Sequence, residues 1–308
     1  MSELALRAEG VGYVALNTTD MEDSIKFWTK GCQLEISSRN ETTTWLRGGM
    51  QHHWIVLHKA AQRGLVRVGL EVANQEVLNA MVDRLTAGGV AVQRGQGLNT
   101  DHVMHYARFN DQSGNPLELY CDMVSMPTPP RPVNVQILDI QHVVLFQAEA
   151  KAAHDFYSKY LGWRPSDWIG ENVVFGHLRD GWHHGIGLFA IGPQKQGLQH
   201  ICFQPPGLDD VMRARARARK MGYQITMDLL RHAPSTSIGF YFAGPDTVVE
   251  FSYGARQFSE DNPPTPKRLA LNEETLDMWQ TGIETDGVSL TEKLQSIGGE
   301  KKAAAGRN

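Results

Sequence analysis

The chain repeats one pattern of spacings in its two halves, and that constrains its fold more than any other feature. From Tyr13 to Phe27 is 27 − 13 = 14 residues, and from His142 to Phe156 is 156 − 142 = 14. From Arg67 to Gly89 is 89 − 67 = 22, and from His200 to Gly222 is 222 − 200 = 22. The wider spacings drift only as loop insertions allow: Tyr13 to Arg67 is 54 against 58 for His142 to His200, and Arg67 to Glu118 is 51 against 50 for His200 to Glu250. A duplicated pattern of this kind asks each copy to bury the same apolar face, so one architecture must serve twice.

Each half opens with an apolar strand, VGYVALN or DIQHVVLF, followed by a helix carrying Phe27-Trp28 or Phe156-Tyr157. A second strand and helix follow. The second helices are expected over residues 74–87 and 208–221, the first with Val77, Leu78, Met81, Val82 and Leu85 as its apolar stripe. Gly89 and Gly222 lie where those helices should stop. Strands over 103–109 and 248–253 close the halves. The expected fold is α+β: two tandem domains, each of two βαβββ modules.

The proline-rich MPTPPRP stretch, Met126 to Pro132, is a stiff connector. It sets the expected division: a first domain over 1–125, a linker over 126–136, a second domain over 137–256 and a tail over 257–308. In the tail, residues 259–268 are polar and proline-rich, and 269–279 has enough apolar character for one short packed segment. Disorder is expected from Leu290 onward.

A chain of 308 residues with 41% hydrophobic and 21% charged residues reads as globular. A net charge of −4 gives no pull toward nucleic acid. The alternate Arg213, Arg215, Arg217 and Arg219 scatter around a helix and read as a solvated face. Three cysteines, Cys32, Cys121 and Cys202, form no CxxC pair and point to neither a disulfide framework nor a zinc knuckle. No signal-peptide pattern or membrane-length apolar run is present, so a cytoplasmic location without membrane association is expected.

The duplication singles out three of the twelve histidine and many acidic positions. His142, His200 and Glu250 lie at matched places in the second half, where the first half has Tyr13, Arg67 and Glu118. Two imidazoles and one carboxylate suit non-haem Fe(II) and leave coordination positions open. Each sits in an apolar strand, where a carboxylate is costly to bury unless paired or bound to a metal. Strict alternation puts His142 on one face with Ile140 and Val144, His200 with Leu198 and Cys202, and Glu250 with Val248 and Ser252. In the first half, an Arg67–Glu118 ion pair is expected to fill the equivalent space. The His183-His184 pair, His232 and Tyr241 supply further proton-transfer and hydrogen-bonding groups near such a centre.

These residues resemble the type I extradiol ring-cleavage dioxygenases of the vicinal oxygen chelate superfamily, over residues of about 10 to 254. The resemblance rests on the His142, His200 and Glu250 trio, on His183-His184 before a strand, and on His232, Tyr241, Pro245 and Glu250 in register. It implies the glyoxalase-like fold with metal in the second domain alone, and Fe(II) held by the trio, with Mn(II) as the less favoured metal. It implies His184 as the acid–base group and His232 and Tyr241 as hydrogen-bonding partners of substrate. The implied reaction is cleavage of a catecholic ring by O2, proximal by default, to a 2-hydroxymuconic semialdehyde-type product. A small catechol is the implied partner, and a homo-oligomer the implied assembly. Leu230, Gly244 and Thr247 depart from the family pattern and point to a divergent branch. Other classes of the same fold stay open: a glyoxalase-like isomerase or transferase that uses no O2, and a module that binds an aromatic ligand without turnover. The pocket is expected near residues 173–182 and 232–238 and the segment after Tyr253. Trp168, Trp182 and Phe189 would suit an apolar substituent; Arg179 or Arg231 would suit a carboxylate.

Overall fold

The computed structural model describes residues 6–279 apart from Pro132 and Pro193. The disorder expected from Leu290 onward lies outside the described residues.

All four expected modules form. The first is β1 (Gly10–Thr18), α1 (Met21–Lys26), β2 (Glu35–Arg39), β3 (Thr43–Arg47) and β4 (Ile55–Lys59). The second is β5 (Gly64–Glu71), α2 (Gln75–Ala87), β6 (Gln93–Gly97), β7 (Val103–Asn110) and β8 (Pro116–Met123). The third is β9 (Asp139–Phe146), α3 (Ala150–Leu161), β10 (Arg164–Ile169), β11 (Val173–His177) and β12 (Ile186–Phe189). The fourth is β13 (Leu198–Gln204), α4 (Leu208–Lys220), β14 (Ile225–Arg231), β15 (Ile238–Ala243) and β16 (Val248–Tyr253). Local chemistry sets the helix ends. Asn74 caps α2 by accepting from the Val77 N–H at 3.0 Å. Gly89 and Gly222 follow α2 and α4 with φ of +81° and +75°, a left-handed conformation open to glycine at little cost.

Modules pair back to back. The first sheet runs β2-β3-β4-β1-β5-β8-β7-β6, with β1 and β5 antiparallel at its centre. The second runs β14-β15-β16-β13-β9-β12-β11-β10 and gains a ninth strand, β17 (Lys267–Leu269), parallel to β10. The expected packed segment is therefore real: β17 is followed by α5 (Glu273–Leu276), and Leu276 is buried.

One large apolar core runs through both halves on the helical faces of the sheets. Aromatic contacts join the halves, with Phe27 5.4 Å from Phe242 and Trp28 6.2 Å from Phe203 between ring centroids. The opposite face of each sheet carries a smaller cluster, Val144, Phe146, Phe189 and Tyr241 among others in the second domain and Tyr13, Trp45 and Tyr120 in the first. The arginine run lies on α4, where Arg215 and Arg219 both reach Asp228 on β14.

Two bulges at the centre of each sheet matter for the site. In the second domain, β9 and β13 lose register at Gln141 and at Gln199, one extra residue on each strand. In the first domain the same bulges fall at Gly12 and Val66. They overturn the strict alternation expected for two strands. Ile140 and Leu198 turn to the helical core, while His142, Val144, His200 and Cys202 stay on the inner face. Glu250 keeps its expected face with Val248.

Candidate metal centre

Strand β13 lies between β9 and β16, so three adjacent central strands bring His142, His200 and Glu250 together. All three are buried. His142 Nε2 lies 3.1 Å from His200 Nε2, and each is 3.2 Å from Glu250 Oε2. Donors at right angles on a metal, with bonds of about 2.1 Å, sit about 3.0 Å apart. The observed triangle fits one face of an octahedron. Both Glu250 oxygens are buried without a hydrogen bond, which is expensive unless a cation satisfies them. The described residues thus form a 2-His-1-carboxylate metal site.

The electrostatics favour ligation. Burial pushes the His142 imidazole down to about 4, against the raising effect of Glu250, so it is neutral near pH 7.

The first domain gives the contrast. Tyr13 donates to Glu118 Oε1 at 2.6 Å and accepts from Arg67 Nε at 2.6 Å. Arg108 Nε reaches Glu118 Oε2 at 2.7 Å, and Arg67 Nε is 3.4 Å from that oxygen. The expected Arg67–Glu118 pair forms, within a larger network that fills the space where the second domain has its metal site.

His184 packs against the His142 ring at 3.9 Å between centroids and against Phe175 at 4.6 Å. Its orientation has a cause. Asp167 accepts from His183 Nε2 at 3.0 Å and also takes Arg256 and the Lys267 N–H. Burial would raise the Asp167 carboxyl; those partners hold it below its ordinary value. His183 must then donate through Nε2, and being neutral it accepts at Nδ1 from His184 Nδ1, 3.0 Å away. That leaves His184 Nε2 as an acceptor. Burial holds the His184 imidazole well below its ordinary value, so it is neutral near pH 7.

On the other side, Tyr241 lies opposite Glu250 across the β15–β16 pair. Burial and Glu250 keep its phenol protonated. His232 donates from Nδ1 to the Leu276 carbonyl at 2.8 Å, so its Nε2 accepts from Tyr241 Oη at 2.8 Å. All six expected site residues border one cavity of about 580 Å³, counted out to its open mouth. Val144, Ile169, Phe175, Phe189, Met227 and Leu276 make its walls apolar.

A family profile described as the Glyoxalase/Bleomycin resistance protein/Dioxygenase superfamily matches residues 10–119 and again 139–249. The chain belongs to this superfamily. It is 28% identical over 268 residues to a biphenyl-2,3-diol 1,2-dioxygenase of Sphingomonas paucimobilis, covering 80% of this chain and 88% of that one. It is 26% identical over 267 residues to a 1,2-dihydroxynaphthalene dioxygenase of Sphingobium xenophagum, covering 80% and 89%. Its homologues are extradiol ring-cleaving dioxygenases. Among solved structures, a Mn(II)-bound glyoxalase from Novosphingobium aromaticivorans superposes with a TM-score of 0.82 at 23% identity, covering 90% of this chain and 92% of that one. This last likeness is one of fold.

Several sequence expectations about the pocket fail. Trp168, Trp182, Arg179 and Arg231 do not border the cavity; Phe189 does. Trp168 sits under Arg268, Trp182 pairs with Gln257, Arg179 reaches Glu9, and Arg231 Nε donates to the Thr236 carbonyl. Sequence reasoning also missed residues. Asp167 and Arg256 orient the His183-His184 pair from distant segments, and no local signal marks them. Gln141 and Gln199 carry a signal that was available, the dipeptide Gln-His occurring at both histidine positions. The same holds for His52-His53 before β4, the first-domain counterpart of His183-His184, where the His53 ring lies 4.6 Å from Tyr13.

Proposed function

We propose that this protein cleaves a catecholic ring by an extradiol route, using O2 and a metal held by His142, His200 and Glu250. The observation that carries the reading is the placement of His184 on one side of the trio and the His232–Tyr241 pair on the other, all bordering one apolar cavity. Fe(II) is the proposed metal, with Mn(II) as the alternative the same donors accept. When bound, it would act as a Lewis acid that lowers a catechol's pKa and holds both reactants close.

The chain's own residues do the rest. His184, neutral with a free Nε2, takes a proton from the substrate hydroxyl and returns it later in the cycle. Tyr241, protonated and donating its O–H to His232, presents its phenol oxygen as a hydrogen-bond acceptor for a substrate hydroxyl. The apolar walls exclude water and receive the ring substituent. No lysine or arginine borders the cavity among the described residues, so the substituent is proposed to be an uncharged aryl, alkyl or fused ring. The relatives named for biphenyl-diol and dihydroxynaphthalene support that choice. Cleavage is proposed to be proximal, giving a 2-hydroxymuconic semialdehyde-type product.

Residues up to 125 are assigned as scaffold and 137–256 as the catalytic domain, with the stretch from 257 as a tail that contributes Leu276 to the cavity wall. Three free, buried cysteines suit a reducing cytoplasm. No helix of the described chain is long and apolar enough to cross a membrane. The family resemblance supports a homo-oligomer, which sedimentation velocity checks. The deciding experiment is an anaerobic screen of substituted catechols with Fe(II)-loaded protein, followed by O2. Stoichiometric O2 uptake with a yellow product is expected, with kcat/KM at least ~10-fold higher for aryl than for carboxylated catechols. No O2 uptake with any catechol, while iron is bound, refutes the reading.

A further inference from the structure

The two bulges place a glutamine immediately before each metal-site histidine. Gln141 and Gln199 are buried, and each side-chain oxygen lies against Nδ1 of the following histidine, at 3.2 Å for Gln141 and His142 and in short contact for Gln199 and His200. Behind Gln141 stands a second buried amide. Gln141 Nε2 donates to Gln204 Oε1, and Gln204 Nε2 donates to the Pro205 carbonyl at 2.8 Å.

The direction of this chain is set by its far end. A carbonyl oxygen can only accept, so Gln204 must present its amide NH2 to Pro205 and its oxygen to Gln141. Gln141 must then give its NH2 to Gln204 and its oxygen to His142. His142 can satisfy that oxygen only by donating from Nδ1. A neutral imidazole that carries its proton on Nδ1 has its lone pair on Nε2, the atom 3.2 Å from Glu250.

We propose that Gln141 and Gln204 are positioning residues: an amide relay anchored on Pro205 that locks His142 in its Nδ1–H tautomer and so keeps Nε2 ready to bind metal. Gln199 does the same for His200 in a single step. The first domain is an internal control. It keeps both bulges, at Gly12 and Val66, but the residues that follow are Tyr13 and Arg67, and neither bulge residue has an amide side chain. A Cβ at position 12 would fall 1.6 Å from Tyr120 Oη, so the first-domain bulge is closed to a glutamine. The amides occur where the histidines occur. The relay rests on the trio as a metal site and holds for any reaction carried out there.

The test uses the full chain and two readouts, neither of them turnover. Mn(II) affinity of the metal-free protein is measured by calorimetry, and the His142 tautomer by 15N NMR of histidine-labelled metal-free protein. Wild type should bind one Mn(II) and show His142 protonated on Nδ1. Gln141→Leu should weaken Mn(II) by ~10–100-fold. Gln204→Leu and Gln204→Met, which touch no ligand, should weaken it by ~3–10-fold and mix the His142 tautomers. Gln141→Glu, which keeps an acceptor at Nδ1, should restore the Nδ1–H tautomer. The Gln141→Leu/Gln204→Leu double variant should be no weaker than Gln141→Leu, because the links act in series. Unchanged affinity and tautomer in both Gln204 variants would overturn the relay while leaving the metal site intact. Wild-type protein that binds no Mn(II) would overturn the metal site and the relay with it.

Discussion

Glu118 and Glu250 occupy equivalent places in the two domains, yet replacing each by glutamine should have opposite consequences. Glu118 is fully buried and accepts from Tyr13 at 2.6 Å and Arg108 at 2.7 Å, with Arg67 at 3.4 Å. Removing one partner of a buried charge pair costs roughly 3–5 kcal/mol. Asp101 still engages Arg67 at 3.1 Å and Arg108 at 2.9 Å, which places Glu118→Gln at the lower end, about 3 kcal/mol. At roughly 2–4 °C per kcal/mol for a domain of this size, Tm should fall by about 6–12 °C. Glu250 is as deeply buried, but its oxygens have no hydrogen bond. Glu250→Gln should leave metal-free protein within about 1 kcal/mol of wild type. It should abolish the added stability that saturating metal confers on wild type, about 2.7 kcal/mol at a hundred times Kd. Calorimetric melts of both variants, with and without Mn(II), give all four numbers. If Glu118→Gln melts within 2 °C of wild type, or if metal-free Glu250→Gln loses as much as Glu118→Gln, the division into a structural and a functional carboxylate is wrong.

Three other outcomes follow from the same geometry. His184→Ala should retain stoichiometric metal by elemental analysis and lose roughly 10²–10⁴-fold in kcat; near-wild-type turnover would remove its proposed role. Burial, with Asp139 beside it, pushes the Asp180 carboxyl up to about 8. The folded protein then holds a proton that the unfolded chain releases near pH 4, so this contribution is full below about pH 4 and is lost as pH rises through about 8. Asp180→Asn should therefore flatten the decline of Tm between pH 5 and 9, and an unchanged slope would assign the decline elsewhere. Gly12→Ala should cost about 1–3 kcal/mol in chemical denaturation, because the new methyl meets Tyr120 Oη inside a closed core. Wild-type stability there would mean that the first-domain network yields more readily than its packing implies.

The ligand trio was legible in the sequence because duplication converts spacing into spatial equivalence. His142, His200 and Glu250 could be compared with Tyr13, Arg67 and Glu118 without knowledge of any contact. The C-terminal ends of α2 and α4 were legible for a local reason, glycines that adopt positive φ. The inner faces of β9 and β13 were misread because a bulge is a property of two paired strands. One strand cannot announce that Gln141 or Gln199 will be left over. Trp168 and Arg179 were misplaced for a related reason. Closeness in sequence to His184 does not set which side of a curled sheet a residue faces.

The sequence by itself determined the architecture, the pair of domains and the three donors, since these depend on periodicity and on residue type. Tertiary structure alone decided which groups orient those donors. Asp167 meets His183 behind His184, the Leu276 carbonyl meets His232, and Gln204 meets Gln141 behind His142, across 16, 44 and 63 residues. Hydrogen bonds of that kind have direction but no period, so they leave no pattern along a chain until folding sets donor against acceptor.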